Sequence, residues 1–318
     1  GKIHFQALGG GFRMYSDGMI SPVFEELEST REIIACEVDQ PEERQKLFND
    51  AGWLARFDGD WKRMTATDVD LTKLGGNKDA ATFQMDFERM FFSDCAVPTW
   101  DGDSLAAVMG RLSKYLASEG KEGAKDDAEA QEFAKFPAGT DTPKEFWLQG
   151  MRLYDMGFRW WFDVANLDED IVEEILFDPN ALPGFNDSGA HLTNLSFYDG
   201  NLGTLRIAQK RGDMRVAHAV HRLTREAAEF FNLDVGTIEP GAQADIVLIN
   251  PEELKKHDMN DSRQKIYHEL FGQDVLVNRT DGVVEQVYIN GVRAWENASS
   301  FTPALGTQTL GRAVRANG

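Results

Sequence analysis

From about Glu25 to Gly150 the apolar residues recur at helical spacing, and no run there reads as a strand. Any sheet must be built from what lies on either side, which fixes an α/β class with few strands in its first half. "PEERQKLFNDAGWLARF" is an amphipathic helix. "SLAAVMGRLSKYLASEG" is another, with Leu105, Val108, Leu112 and Leu116 on one face. "KEGAKDDAEAQEFAKF" is polar enough for a solvated helix or loop, and "TPKEFWLQGMRLYDMG" returns to a helical pattern.

Strand signals lie outside this block. "KIHFQALG" reads as a buried strand running into the glycines Gly9 to Gly11, and "FRWWFDVAN" as an aromatic strand. "LDEDIVEEILFDP" has an Asp N-cap and a Pro stop, the marks of a short helix. After the amphipathic "MRVAHAVHRLTREAAEFFNL", the pattern turns β. "GTIEPGAQADIVLINPEEL" reads as strand, tight turn, strand. "VVEQVYINGVRAWEN" is two alternating runs joined by Asn290-Gly291, the strongest short hairpin signal. The expected division is therefore 1–232, with a long helical insertion over about 25–150, and a small β region over 233–318.

Charge bounds the partners. A formal net charge of −20 argues against nucleic-acid backbones and anionic membranes, and for a cytoplasmic protein. Cys36 and Cys95 make no disulfide framework and no paired metal motif. No apolar run approaches a membrane span, and no signal peptide is seen. The opening "GKIHFQALG" lacks an initiator Met, which reads as a start inside a longer protein.

One segment concentrates chemistry. "GFNDSGAHLTN" places Asp187 and His191 on a short glycine-bounded stretch. Read alone, Asp187 caps a turn as readily as it carries a proton, and His191 holds a loop as readily as it touches a ligand. Gly9 to Gly11 match no phosphate-binding fingerprint and read as a flexible loop. Arg13, just beyond, has the planar fork that grips a carboxylate bidentately. His218 and His221 lie three apart on a helix and read as packing or surface residues. Asp245 reads as a structural group pinning backbone amides.

"GFNDSGAHL", the "RVAHAVHRLTREAAEFFNLDVGTIEPGAQADIVLINPEEL" segment and "VEQVYINGVRAWEN" together resemble the C-terminal part of metal-dependent amidohydrolases, in particular the D-aminoacylase (N-acyl-D-amino-acid deacylase) branch. The resemblance is good from about Val164 onward and loose before it. It implies the C-terminal portion of a (β/α)8 TIM-type barrel plus a small β-sandwich, with "GFND" as the eighth strand and Asp187 at its tip. By the same resemblance, Asp187 approaches the metal and serves as general base and then acid. His191 and Arg13 are its substrate-binding candidates, and one or two zinc ions are the cofactor. The implied function is hydrolysis of non-peptide amide C–N bonds, deacylating small-molecule N-acyl (D-)amino acids.

The family's other ligands are missing. The chain has six histidines and no His-x-His, and only His4 and His191 lie near proposed strand ends. A βα unit takes about 30 residues, so seven ask for about 200; only 183 precede Gly184, more than half of them without strands. The expectation is an incomplete barrel: a fragment lacking most metal ligands, inactive alone, with zinc absent or weakly bound, and prone to form a homo-oligomer through its open edge. A rival reading is a non-catalytic interaction or binding module derived from an amidohydrolase. A self-standing α/β hydrolase using Asp187 and His191 would lack a nucleophile, since no GxSxG elbow is present.

Overall fold

A computed structural model describes residues 3–36, 38–66, 81, 83–186, 188–189, 191–196, 199–296 and 300–313. Its contacts divide the chain into two units, Gly1–Phe12 with Val164–Gly318, and Arg13–Asp163 between them. Residues on both sides of position 233 fall in the first of these.

The first unit opens with β1 (Phe5–Ala7), and β2 (Phe12–Asp17) leads into the second. There α1 (Glu28–Ile34) is followed by α2 (Pro41–Phe48) and α3 (Ala51–Met64). The sequence reads 41–57 as one helix, but Asn49 leaves the helical region and Asp50 caps a new helix by accepting from the Trp53 N–H at 2.7 Å. β3 (Met90–Phe92) is a strand inside the block expected to have none. Its three residues are too short to show a period and are fixed by a distant partner. Next comes α4 (Leu105–Ala117), capped by Ser104. In α5 (Asp127–Phe133), expected to be solvated, Glu129 is fully buried. Arg111 reaches both its oxygens at 2.8–3.2 Å, and the Lys125 backbone N–H donates to it at 2.7 Å, so the charge is paired. α6 (Pro143–Tyr154) starts on Thr142. β4 (Arg159–Ala165) then lies between β2 and β3 in a three-stranded sheet, antiparallel to β3 with Phe92 opposite Trp160. This unit's core is aromatic: Trp53, Trp100, Trp147 and Trp160 are all buried, and Trp53 stacks on Phe57 at 5.0 Å.

Back in the first unit, α7 (Glu169–Leu176) is capped by Asp168, which accepts from the N–H groups of Asp170 and Ile171. β5 (Ala181–Pro183) pairs in parallel with β1. The expected strand at "GFND" is therefore displaced: pairing ends at Pro183, and Gly184 (φ +136) turns the chain away. α8 (Gly200–Gln209) and α9 (Asp213–His221) follow, and a π turn over Arg222–Glu226 continues into α10 (Ala227–Phe230). β6 (Ile246–Ile249), α11 (Pro251–Lys256), β7 (Arg263–His268), β8 (Gln273–Asn278), β9 (Val284–Ile289), β10 (Val292–Glu296) and β11 (Ser300–Phe301) complete the unit. The four-stranded sheet runs β11-β10-β9-β6, and β7 and β8 form a separate hairpin. Only one strand forms where the sequence suggests strand, turn, strand before Asn250, because residues 236–245 are turns and irregular chain. The Asn290-Gly291 hairpin is as expected, with both residues at positive φ (52° and 78°). Asp245 accepts from the Asn290 N–H at 2.7 Å, the amide-pinning role read from sequence. The described residues show a mixed α/β fold and no closed barrel.

Candidate functional site

Two parallel strands send their following loops out at the same, carboxyl end, which is where ligands gather in parallel α/β sheets. Here those loops are Leu8 to Gly11 after β1 and Gly184 to Asn194 after β5. The N–H groups of Gly184 and Phe185 both donate to the Ala7 carbonyl, at 3.0 and 3.3 Å, tying the two exits together. On the other side of β5, the buried Arg222 guanidinium donates to the carbonyls of Asp178 and Ala181 and fixes the approach to the strand.

Two of the glycines that read as a flexible loop, Gly9 and Gly10, are packing residues. A side chain on Gly9 would collide with the Gly200 carbonyl and Thr204, and one on Gly10 with the sulfur of Met259. The Gly10 carbonyl accepts from the Asn166 amide at 3.1 Å. The chain leaving β1 thus meets α8 at Gly9, where small residues let backbone meet backbone.

After β5, Asn186 closes an Asx turn: its side-chain oxygen accepts from the Ser188 N–H at 3.2 Å, and its carbonyl from the Ser188 hydroxyl at 3.0 Å. Ser188 is fully buried. Asp187, the candidate base and metal ligand, lies between these two residues and outside the described residues. His191 is half-buried at the start of the next turn, and its carbonyl accepts from the N–H groups of Asn194 and Leu195 at 3.1 and 3.0 Å. The Leu192 carbonyl takes the Leu276 N–H at 2.7 Å, so β8 braces this loop. Sequence reasoning missed that brace, because neither strand of the β7–β8 hairpin carries an alternating pattern or a two-residue turn signal.

Arg13 belongs to the other unit. Its guanidinium is bidentate to Asp163 (Nε–Oδ1 2.8 Å, Nη2–Oδ2 3.1 Å) and lies 3.5 Å over the Trp161 ring. The carboxylate it grips is the protein's own. His4 precedes β1, at the end of the strand opposite the glycines, and its ring meets Phe230 edge-on at 4.6 Å. His218 and His221 are exposed on α9, the former against Phe177 at 5.1 Å. Among the described residues no group of three or more His, Cys, Asp or Glu side chains is arranged to hold a metal ion. Those residues do not by themselves form the zinc centre that the resemblance implies. Cys95 is no alternative nucleophile: burial pushes its thiol up to about 11.

Comparison with known proteins gives one family match and several more distant likenesses. The amidohydrolase family model matches residues 185–294, from the loop after β5 into β10. Uncharacterized proteins of Mycobacterium bovis and of two Mycobacterium tuberculosis strains are 26% identical to 99% of the chain, and the chain spans 46% of their length. A solved structure of D-aminoacylase, described by its binuclear metal centre with one-metal activation and second-metal attenuation, is 18% identical with a TM-score of 0.36, over 71% of this chain and 38% of that one. No helix among the described residues is long and apolar enough to cross a membrane.

Proposed function

We propose that this chain is the C-terminal part of a metal-dependent hydrolase of amide C–N bonds, acting on N-acyl amino acids, with Asp187 as its proton-carrying carboxylate. The observation that carries this reading is the amidohydrolase-family match beginning at Phe185, on the loop that leaves the carboxyl end of a parallel strand pair. A carboxylate at that place can take a proton from an attacking water and return it to the departing nitrogen. The neighbours Asn186 and Ser188 are joined by hydrogen bonds, and the Leu192–Leu276 bond holds the loop's far side.

Two features support the fragment reading. The curated relatives are about twice as long, since the chain spans 46% of them. Among the described residues the β1–β5 sheet is two strands wide, whereas parallel sheets are ordinarily wider and covered on both faces. Phe5, the first residue of β1, and Ile3 before it, at 70% and 83% exposure, favour association, including self-association of the isolated chain.

The test is hydrolysis of a panel of N-acyl-D- and N-acyl-L-amino acids by the chain alone and by the protein carrying its upstream sequence. The chain alone should be inactive and the longer protein active. In the active protein Asp187→Asn should lower kcat by about 10²–10⁴-fold with an unchanged melting temperature. An Asp187→Asn variant that melts early yet turns over normally would make Asp187 a turn residue and end the catalytic reading.

A further inference from the structure

Away from the loop glycines, a row of polar side chains meets where helices and strands end. Asp199 stands just before α8, His257 closes α11, Ser262 precedes β7, Asn278 ends β8 and Thr280 follows it. His257 Nε2 lies 3.0 Å from Asp199 Oδ2, an ion-pair contact. On the other side of the ring, Nδ1 lies 3.2 Å from Thr280 Oγ1, which lies 2.7 Å from Ser262 Oγ. The Asn278 amide donates to Asp199 Oδ1 at 2.6 Å and to the Met259 carbonyl at 2.6 Å, which fixes the carboxylate's orientation. The His257 side chain is fully buried and that of Asp199 is 9% exposed, whereas Thr280 and Ser262 are half-buried. Carboxylate, imidazole and hydroxyl thus stand in series, with the hydroxyls nearest solvent.

Charge sets the protons along this row. A bare Nε2 lone pair would repel the acceptor-only carboxylate it faces, so in the neutral ring Nε2 carries the proton. Nδ1 then holds the lone pair and accepts from the Thr280 hydroxyl, which accepts in turn from Ser262. The Nε2–Oδ2 approach is not aligned as a hydrogen bond, and catalytic contacts of this kind often align only when substrate binds. A hydroxyl against a base, with a third group orienting the base, is the arrangement that activates a nucleophile; it is defined by geometry and roles, not by chain order or fold. Here the hydroxyls also open on space. A cavity of about 380 Å³, a size that suits a small molecule, is lined by Thr280, Ser262 and His257 together with Lys256, Arg263 and Arg279. Four carboxylates share the lining with those three cations, so the cavity favours a polar occupant over a long acyl chain.

We infer that Thr280 is the nucleophile of a second hydrolytic site, for small polar esters, with His257 as its base and Asp199 and Asn278 as positioning residues. Thr280 Oγ1 attacks the ester carbonyl carbon while His257 Nδ1 takes its proton. The bond from that carbon to the alcohol oxygen breaks, and His257 returns the proton to the departing alkoxide. Water then attacks the acyl–Thr280 ester; its proton passes to His257 Nδ1 and from there to Thr280 Oγ1 as the acid leaves. Arg279, beside Thr280 in the chain and in the cavity lining, offers positive charge to the oxyanion that develops at the carbonyl. The site does not rest on the amide-hydrolase reading.

The experiment is rapid-mixing acylation of the intact chain by p-nitrophenyl acetate in buffer containing a chelator, followed by mass-spectrometric mapping of the acetyl group. A stoichiometric burst of p-nitrophenolate, with the acetyl on Thr280, is expected. His257→Ala and Thr280→Val should each slow the burst by about 10²–10⁴-fold. Thr280→Ser keeps the hydroxyl and should acylate at least as fast, and His221→Ala on the exposed helix should change nothing. Asp199→Asn should lower the limiting burst rate at saturating ester and leave the half-saturating concentration in place; a merely structural Asp199 would leave that rate unchanged in the folded variant. No burst from the unaltered chain, an acetyl on Lys256 or Ser262 instead of Thr280, or an equal burst from a folded Thr280→Val variant would each overturn the site. If Thr280→Val does not fold, the acetyl position mapped in the unaltered chain decides. The chelator silences metal-dependent chemistry, so failure here leaves the amide-hydrolase reading untouched.

Discussion

Gly203 and Gly110 occupy the interiors of α8 and α4 and call for opposite outcomes on substitution by alanine. A side chain on Gly203 would strike the Gly9 carbonyl and come within 2.8 Å of the Met259 sulfur. Gly203 is where α8 rests on the exit of β1, so Gly203→Ala must push the candidate-site loop aside, at a cost of about 1–3 kcal/mol. Around Gly110 nothing lies within 4 Å. There alanine removes only the conformational freedom of the unfolded chain, and Gly110→Ala should stabilise by about 0.5–1 kcal/mol. Urea midpoints for the two variants check both signs. Equal effects would mean that the Gly9–Gly203 approach is not a real constraint. The same contrast shows what a residue letter conceals. "GGG" reads as flexibility, and only the partners across the gap show Gly9 and Gly10 to be packing.

Elements were legible where their causes are local. Ser104, Thr142 and Asp168 announce helix starts because each caps an N–H two or three residues away. Asn290-Gly291 announces a hairpin because only such residues take two positive φ values cheaply. β2, β3 and the β7–β8 hairpin were not legible, since each is set by pairing with residues elsewhere or by a turn with no signature. The pairing of α7 with α8 was equally hidden, being made by charges some forty residues apart: Glu169 takes Arg206 and Lys210, at 2.6 and 2.5 Å. Burial works to raise the Glu169 carboxyl, but Lys210 and Arg206 outweigh it and hold it below the usual range. A depressed folded-state pKa contributes stability above the ordinary carboxylate range, and that contribution is lost as pH falls through the folded value. Glu169→Gln should therefore destabilise the fold at neutral pH by no more than about 1 kcal/mol for so exposed a pair, seen as a lower melting temperature. The gap from the unaltered chain should close once the solution is acidic enough to protonate Glu169. A gap independent of pH would assign Glu169 a packing role instead.

The whole molecule is a chain interrupted by a second, self-contained unit. Arg13 and Asp163, the two ends of that unit, are joined by the bidentate ion pair, and β2 and β4 lie side by side in one sheet. Its large aromatic cluster runs from Met19 to Trp160 without drawing on the other unit. A segment whose ends meet and whose core closes on itself has what independent folding needs. Residues 13–163 expressed alone should give a soluble protein with one cooperative transition in urea. Six of the seven tryptophans lie in this unit, the seventh being Trp295, so its unfolding dominates the fluorescence of the intact chain. The intact chain should show the same fluorescence midpoint as the isolated unit if the two halves unfold separately. Arg13→Ala should lower that midpoint in both, by leaving Asp163 unpaired and Trp161 uncovered. An isolated 13–163 that lacks a cooperative transition, or that aggregates as made, would show that the aromatic core needs the surrounding half and that the chain folds as one.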